Sequence, residues 1–419
     1  MPGYRELVRD AEFRALLVAH VVSVAGDQFA RVALTVHVYD RTASAGLTAL
    51  TYALTFLPDL VGGPLLSGLA DRFARKRVMV TADLIRAALL PLMAVPGLPL
   101  WTLASLLVLV QFAGAPHGAA RAALLPHILP DERYPLGQAV LATVTQAAQV
   151  AGFLAGGALV AWLGPGLVLV ADGVTFAVSA VLVGVFLLPR PAPESPHVRA
   201  WSADLVGGAR LVWGDRRLRA LVALACVSGF YIVGEALAVP YASQLGAGPA
   251  GVGLIFGAYA LGAAVGMLLI ARVSERLQLR LMPWLAIAAC AVLVPAALRP
   301  GLAVSVGLFA LSGAASAYHL VANTRFVRAV PDPSRGQAFG LAVTALRVSQ
   351  GLGVALAGAA AEMVTAHQVV AAAGALGVLA ASGAAIVWWL SAASPSDGSS
   401  QSDAASRSDE RGGRWRRYG

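Results

Sequence analysis

The sequence predicts an all-α polytopic membrane protein, with twelve spans arranged as two pseudo-symmetric six-helix bundles. Three observations lead there. Of 419 residues, 58% are hydrophobic and only 13% charged, against about 25% charged in a typical soluble domain, so a water-facing surface cannot be assembled from what remains. The apolar residues come in blocks of about 20, the length a helix needs to cross a hydrocarbon core of ~30 Å. Polar connections in the first half of the chain also recur in the second.

Charged or Pro/Gly-rich breaks delimit spans at 14–38, 46–69, 78–95, 100–119, 136–162, 166–188, 219–241, 249–271, 281–298, 301–322, 337–360 and 367–391. The first apolar block, Phe13 to Tyr39, is long enough to cross a bilayer and is followed at once by another, so it reads as an uncleaved span and not a secretory signal. The division is then an N-terminal segment 1–13, a bundle 14–188, a hydrophilic connection 189–218, a second bundle 219–391 and a tail 392–419. In the connection, Leu205, Val206, Ala209, Val212 and Trp213 fall at helical spacing opposite Asp204, Arg210 and Asp215, which predicts a short interfacial helix. The tail is rich in Ser, Asp and Arg and is expected to be disordered.

A net charge of +9 raises the question of nucleic acid. Of the 31 basic residues, however, 26 lie on one side of the spans, while Arg41 and Arg299 alone lie in the opposite loops. Positive residues near span ends stay in the cytoplasm. The surplus therefore sets orientation, with both termini inside, and calls for no nucleic-acid partner. Cys226 and Cys290 sit in separate apolar blocks and suggest neither a disulfide nor a metal site. No phosphate-cradling Gly-Lys loop and no catalytic polar cluster is present. The chain is thus expected to be neither an enzyme nor an ATP-driven pump, to need no cofactor and to draw on an ion gradient.

The repeat is explicit in two pairs of loops. Asp71-Arg72 after span 2 matches Glu275-Arg276 after span 8. Arg121, Pro130-Asp131 and Gly137-Gln138-Ala139 match Arg325, Pro331-Asp332 and Gly336-Gln337-Ala338. Two such halves on a parallel repeat axis are what a rocking transporter is built from.

The stretch Ser67-Gly-Leu-Ala-Asp71-Arg72-Phe-Ala-Arg75-Lys76 resembles the loop between spans 2 and 3 of the major facilitator superfamily, with Ser67 and Ala74 where that signature has glycine. Gly26-Asp27, Asp83 with Arg86, Pro116 through Arg121 to Pro126, and Gly336-Gln337 resemble its enterobactin-exporter and macrolide-efflux branch. The resemblance implies a monomeric secondary transporter in a bacterial inner membrane, its expected cargo a drug, macrolide or siderophore exchanged for H+. Gly152, Gly156 and Gly157 partly match a span-5 glycine motif of exporters, with Phe153 in place of its proline. Small residues also simply let helices approach.

Charges inside the bilayer are costly, so each should be paired or face a wet cavity. At 1.5 Å per residue from the cytoplasmic end, Asp27 lies ~20 Å deep, Glu235 ~24 Å and Arg31 ~26 Å, one layer. The resemblance puts spans 1 and 7 around the substrate path. Asp27 or Glu235, gated by Arg31, is the expected proton and substrate site; an Asp27 to Arg31 pair at i, i+4 is the bland reading. Asp59 and Arg347 match in depth at ~18 and ~17 Å, which with the contact of spans 2 and 11 that the resemblance implies predicts a bridge between the halves. By the same resemblance, Asp71 at the N-terminus of span 11 would latch the cytoplasmic side, with Arg72, Arg75, Asp83, Arg86 and Arg121 completing a charge network. His20 and His319 read as hydrogen-bonded core groups, and Asp172 as structural. An importer on the same fold and a polytopic membrane enzyme are the competing readings.

Overall fold

The computed structural model describes residues 7, 9–55, 72–129, 133–190, 201–331 and 334–393. Among these, ten helices are long and apolar enough to cross a membrane. Two further expected spans are represented by shorter or more polar helices among these residues. Span 2 is described over Ala45–Leu54 and span 3 is Arg75–Met93, whose apolar character is diluted by Arg75, Lys76, Arg77, Asp83 and Arg86.

Most helices run past the expected limits by a few residues, because span ends continue as regular helix beyond the hydrocarbon. Span 1 is Ala11–Thr42, capped by Asp10, whose carboxylate accepts from the Phe13 N–H at 3.1 Å. Span 4 (Leu100–Ile128) extends furthest, nine residues beyond the expected 119, and carries Pro116 and Pro126 inside the helix. Span 5 is Tyr134–Leu163, span 6 Pro165–Phe186, span 8 Gly248–Ala271, span 11 Arg335–Ala361 and span 12 Ala366–Ala393. The connection contains a helix, Trp201–Gly214, packed on the start of span 11 at Gly207 and Gln337.

Three spans in the second half are broken. Span 7 consists of Arg216–Cys226, Ser228–Ala236 and Ala238–Gln244. Its second break falls at Leu237 because Pro240 has no N–H to give and its ring crowds the carbonyl four residues back, at Ala236. Span 9 is Glu275–Ala291 followed by a 3₁₀ turn, Val294–Leu298. Span 10 divides into Leu302–Ala315 and Tyr318–Ala329. Such interruptions are tolerated only where protein or a cavity replaces the lost backbone partner.

In the first half, spans 1, 3 and 5 pack around span 6; in the second, spans 7, 9 and 11 meet span 12, and span 8 packs on span 10. The halves meet along two seams, span 5 against span 8 and span 2 against span 11. Span 6 illustrates how the sequence sorts its faces. Leu167, Val170, Val174, Val178, Val181 and Val185 are exposed at helical spacing, as lipid contacts require. Val168, Asp172, Phe176, Ser179 and Val183 are buried on the opposite side.

At the face opposite the chain termini, called outer below, the seams are shut. Gly157 and Gly253 touch so closely that a Cβ on Gly157 would stand 2.6 Å from the Gly253 Cα. Ser44 caps span 2, and its hydroxyl and the Gly46 N–H both donate to Glu362 at the end of span 11, at 2.7 and 2.6 Å. Toward the terminal face a cavity of about 500 Å³ opens in the second half.

Candidate functional site

The central layer contains two separate acid sites. The first lies in the first half, where Asp27 on span 1 pairs with Arg86 on span 3 at 3.0 Å. Asp27 does not pair with Arg31, so the local i, i+4 pairing is corrected. Arg86 reaches it because its guanidinium is flanked by the ring of Phe176, 4.0 Å away, and by Gly114, where any side chain would crowd it. Asp27, Arg31 and Asp172 line a polar cavity of about 270 Å³ with Gln28, Gln111 and Gln149.

The second acid site bridges the halves. Glu235 lies in the short middle helix of span 7, only 7% exposed, and accepts a 2.5 Å hydrogen bond from the hydroxyl of Tyr52 on span 2. The Arg31 guanidinium stands over the rings of Tyr52 and Phe153, at 5.6 and 5.9 Å. Phe256 on span 8 stacks on both rings, with centroids 4.9 Å from Phe153 and 6.2 Å from Tyr52. Tyr52, Arg31 and Phe153 from one half thus meet Glu235 and Phe256 from the other, between the cavity and the closed outer face. Phe153, the departure from the span-5 glycine motif, is what supplies the ring. The glycines of that motif divide their work. Gly152 and Gly156 admit the backbone of span 1, whereas Gly157 meets span 8.

The expected cytoplasmic charge network does not assemble among the described residues. Asp83 is fully buried, accepts from Ser179 at 2.6 Å and faces His117 at 3.5 Å. Arg86 is drawn to Asp27, Arg75 donates to the Ala123 carbonyl at 2.9 Å, and Arg121 contacts the ring of His20. Arg72 is exposed. The reason is depth: Asp83 and Arg86 are eight and eleven residues into span 3, roughly 12 and 16 Å from its start, too far in to reach the membrane surface. Asp59 and Asp71 lie outside the described residues. Arg347 donates to Gln350 at 3.2 Å, which donates to Ser228 on span 7. The repeat loop after span 8 does close a surface cluster, with Glu275 accepting from Arg325 and Arg328 at 2.5 and 2.8 Å.

The larger cavity differs in chemistry. Its walls are chiefly apolar, from Leu221, Val222, Met267, Phe326, Phe339 and Leu346, with neutral polar groups from Tyr231, Tyr259, Asn323 and Gln350. His319 is held there by the Tyr231 hydroxyl at 2.7 Å, and His20 by Thr145 at 2.8 Å, so both are hydrogen-bonded core groups. Charge is concentrated in one half and a broad apolar cavity in the other.

Tyr52, Phe256 and Glu362 were not legible as site residues. A lone tyrosine in an apolar span carries no signal. Glu362 carried a weak one, being among the few charged residues in the outer loops.

Comparison with known proteins agrees with the fold. The family model described as Major Facilitator Superfamily matches residues 16–241 and 220–416. The chain is 31% identical over 176 residues to the uncharacterized MFS-type transporter YvqJ of Bacillus subtilis, covering 41% of this chain and 42% of that one. It is 29% identical over 126 residues to macrolide efflux protein A of Streptococcus pyogenes, covering 29% and 31%. It is 28% identical over 245 residues to the multidrug efflux pump Tap of Mycobacterium tuberculosis, covering 54% and 57%. The aligned stretches thus span between about a third and somewhat over half of these relatives' length. Among solved structures, the nucleoside transporter NupG superposes with a TM-score of 0.73 at 14% identity, over 90% of this chain and 99% of that one. A bacterial homologue of the iron transporter ferroportin, in its inward-facing state, gives 0.66 at 14%, over 91% and 99%.

Proposed function

The chain belongs to the Major Facilitator Superfamily, and on that footing we propose that it is a proton-coupled antiporter exporting small amphipathic organic molecules, of the macrolide or multidrug kind, from the cytoplasm. The positive-inside pattern assigns the terminal face to the cytoplasm of a bacterial inner membrane. The conformation is then inward-facing, with the apolar cavity open to the cell and the outer seams closed.

The observation that carries this reading is the Tyr52 to Glu235 hydrogen bond, which ties the two halves together just beyond the end of the cavity. An ionised Glu235 accepts that bond in its strong, charge-assisted form. Protonation weakens it and also frees the cationic Arg31 nearby, which favours parting of the outer seams. A proton taken up by Glu235 from outside while the seams are open is expelled to the cytoplasm when they close and the Tyr52 bond re-forms, and cargo bound on the apolar wall leaves to the outside at the next opening. Asp27 with Arg86 forms the second proton-responsive pair. An Asp59 to Arg347 bridge between spans 2 and 11, and an Asp71 latch at the cytoplasmic face, belong to the same proposal. So do the monomeric state and the division into bundles at residues 188 and 219. Energy comes from the gradient alone, so no cofactor or enzymatic step is involved.

Erythromycin accumulation in cells expressing the chain tests this. Expression should lower accumulation, a proton-gradient collapser should restore it, and E235Q and D27N should abolish the effect at normal membrane abundance. Lower accumulation that survives collapse of the gradient, or efflux unchanged in both variants, would overturn the reading. Accumulation raised by expression would favour an importer.

A further inference from the structure

Asp172 is a buried acid that the scheme above leaves idle. It lies on the inward stripe of span 6, is 1% exposed, and lines the same cavity as Asp27 and Arg31. Its Oδ1 accepts from the Thr175 hydroxyl at 2.9 Å, but that hydroxyl is shared with the Asp172 carbonyl. Its Oδ2 has no hydrogen-bond partner among the described residues. Space for the carboxyl is made by Gly26, next to Asp27, where a Cβ would collide with Asp172 Oδ1 and Thr175. The carboxyl is therefore fitted into a position beside Asp27 that one glycine keeps open.

The charges around it are few. Spans 1, 3 and 5 pack on span 6. Span 1 brings Asp27 and Arg31; span 3 brings Asp83 and Arg86; span 5 carries no Asp, Glu, Lys, Arg or His. Asp83 is engaged by Ser179 and His117, and Arg31 lies over Tyr52 and Phe153. Arg86 is the cation left for this corner, and it is bonded to Asp27. One guanidinium can balance one carboxylate. A second ionised carboxylate with an undonated oxygen would be costly at this burial, so the pair plus a proton is the arrangement that closes the charge balance.

We propose that Asp172 is a second proton-binding carboxyl, trading Arg86 with Asp27 during the transport cycle. In the conformation described, Asp27 is ionised on Arg86 and Asp172 holds the proton. When Arg86 swings to Asp172, the proton leaves Asp172 and one is taken up by Asp27 through the shared cavity. No O–H bond is gained or lost overall, and the cluster stays neutral throughout. The step rests on the proton-coupled reading, because without an imposed gradient the exchange would do no work.

Infrared spectroscopy of the purified full-length protein in nanodiscs tests this without any substrate, so it is independent of whether erythromycin is exported. At neutral pH the wild type should show a neutral carboxylic-acid C=O stretch that D172N removes, and that D27N also removes because Arg86 is then left to Asp172 alone. R86Q should add a second such band, since both carboxyls then need protons. Retention of every neutral-carboxyl band in D172N, or no new band in R86Q, would overturn the proposal. Should D172N not fold, the R86Q arm alone decides. Failure of erythromycin export with the expected bands present would instead count against the export reading alone.

Discussion

Replacing Tyr52 by Phe removes a single hydroxyl whose bond runs from one half to the other. Both partners are buried, Tyr52 at 1% exposure, so solvent screening takes little from the interaction. A hydrogen bond to a charged group contributes about 1.5–3 kcal/mol. Because the partners lie in different halves, the loss falls on the equilibrium between outer-closed and outer-open forms. A shift of about 10- to 150-fold toward the outer-open form follows. Spin labels at Val95 and Met363, exposed in outer loops of opposite halves, would report it in a background lacking Cys226 and Cys290. The distance distribution should lengthen in Y52F and in E235Q, and the double variant should move little further, since both changes remove the same bond. Additive shifts, or a distribution unchanged in Y52F, would refute the reasoning.

Three further outcomes follow. Glu362 lies just beyond span 11, where the Ser44 hydroxyl and then the Gly46 N–H hold its carboxyl below the usual range. A lowered value means the latch is intact above the ordinary glutamate pKa of about 4.3 and is lost as pH falls through the lowered one. Outer-face accessibility of a cysteine at Ala43 should therefore rise only at acid pH, modestly because the contact is exposed, and E362Q should raise it at neutral pH. Gly157→Leu should block the span 5 to span 8 seam; overpacking of about 1–3 kcal/mol should disfavour the outer-closed form and slow efflux at normal abundance, read by the same spin-label pair. Asp83→Ala should leave the Ser179 hydroxyl without its buried acceptor and lower thermal stability by about 1–3 kcal/mol, read by melting of the purified protein.

The fold was legible because bilayer thickness fixes span length and arginine placement fixes order, both local properties of the chain. The repeat loops and the signature around Asp71 added the two-bundle plan. Depth matches Asp27, Arg31 and Glu235 in height, yet depth says nothing of azimuth. Asp27 therefore turned out to face Arg86 on span 3, and Arg31 to face Tyr52 and Phe153. The resemblance sent Asp83 and Arg86 to a surface network, whereas their distance into span 3 keeps them inside the bundle. Partners four residues apart are easy to propose from sequence, whereas partners such as Tyr52 and Glu235, 183 residues apart, are set by packing alone.

Proton movement in protein-only liposomes tests the central claim most directly. With a pH-sensitive dye trapped inside, erythromycin added outside should enter in exchange for protons, so the lumen should alkalinise beyond protein-free liposomes, and E235Q should abolish the excess. Drug entry without excess proton movement, or a response in E235Q equal to the wild type, would contradict it.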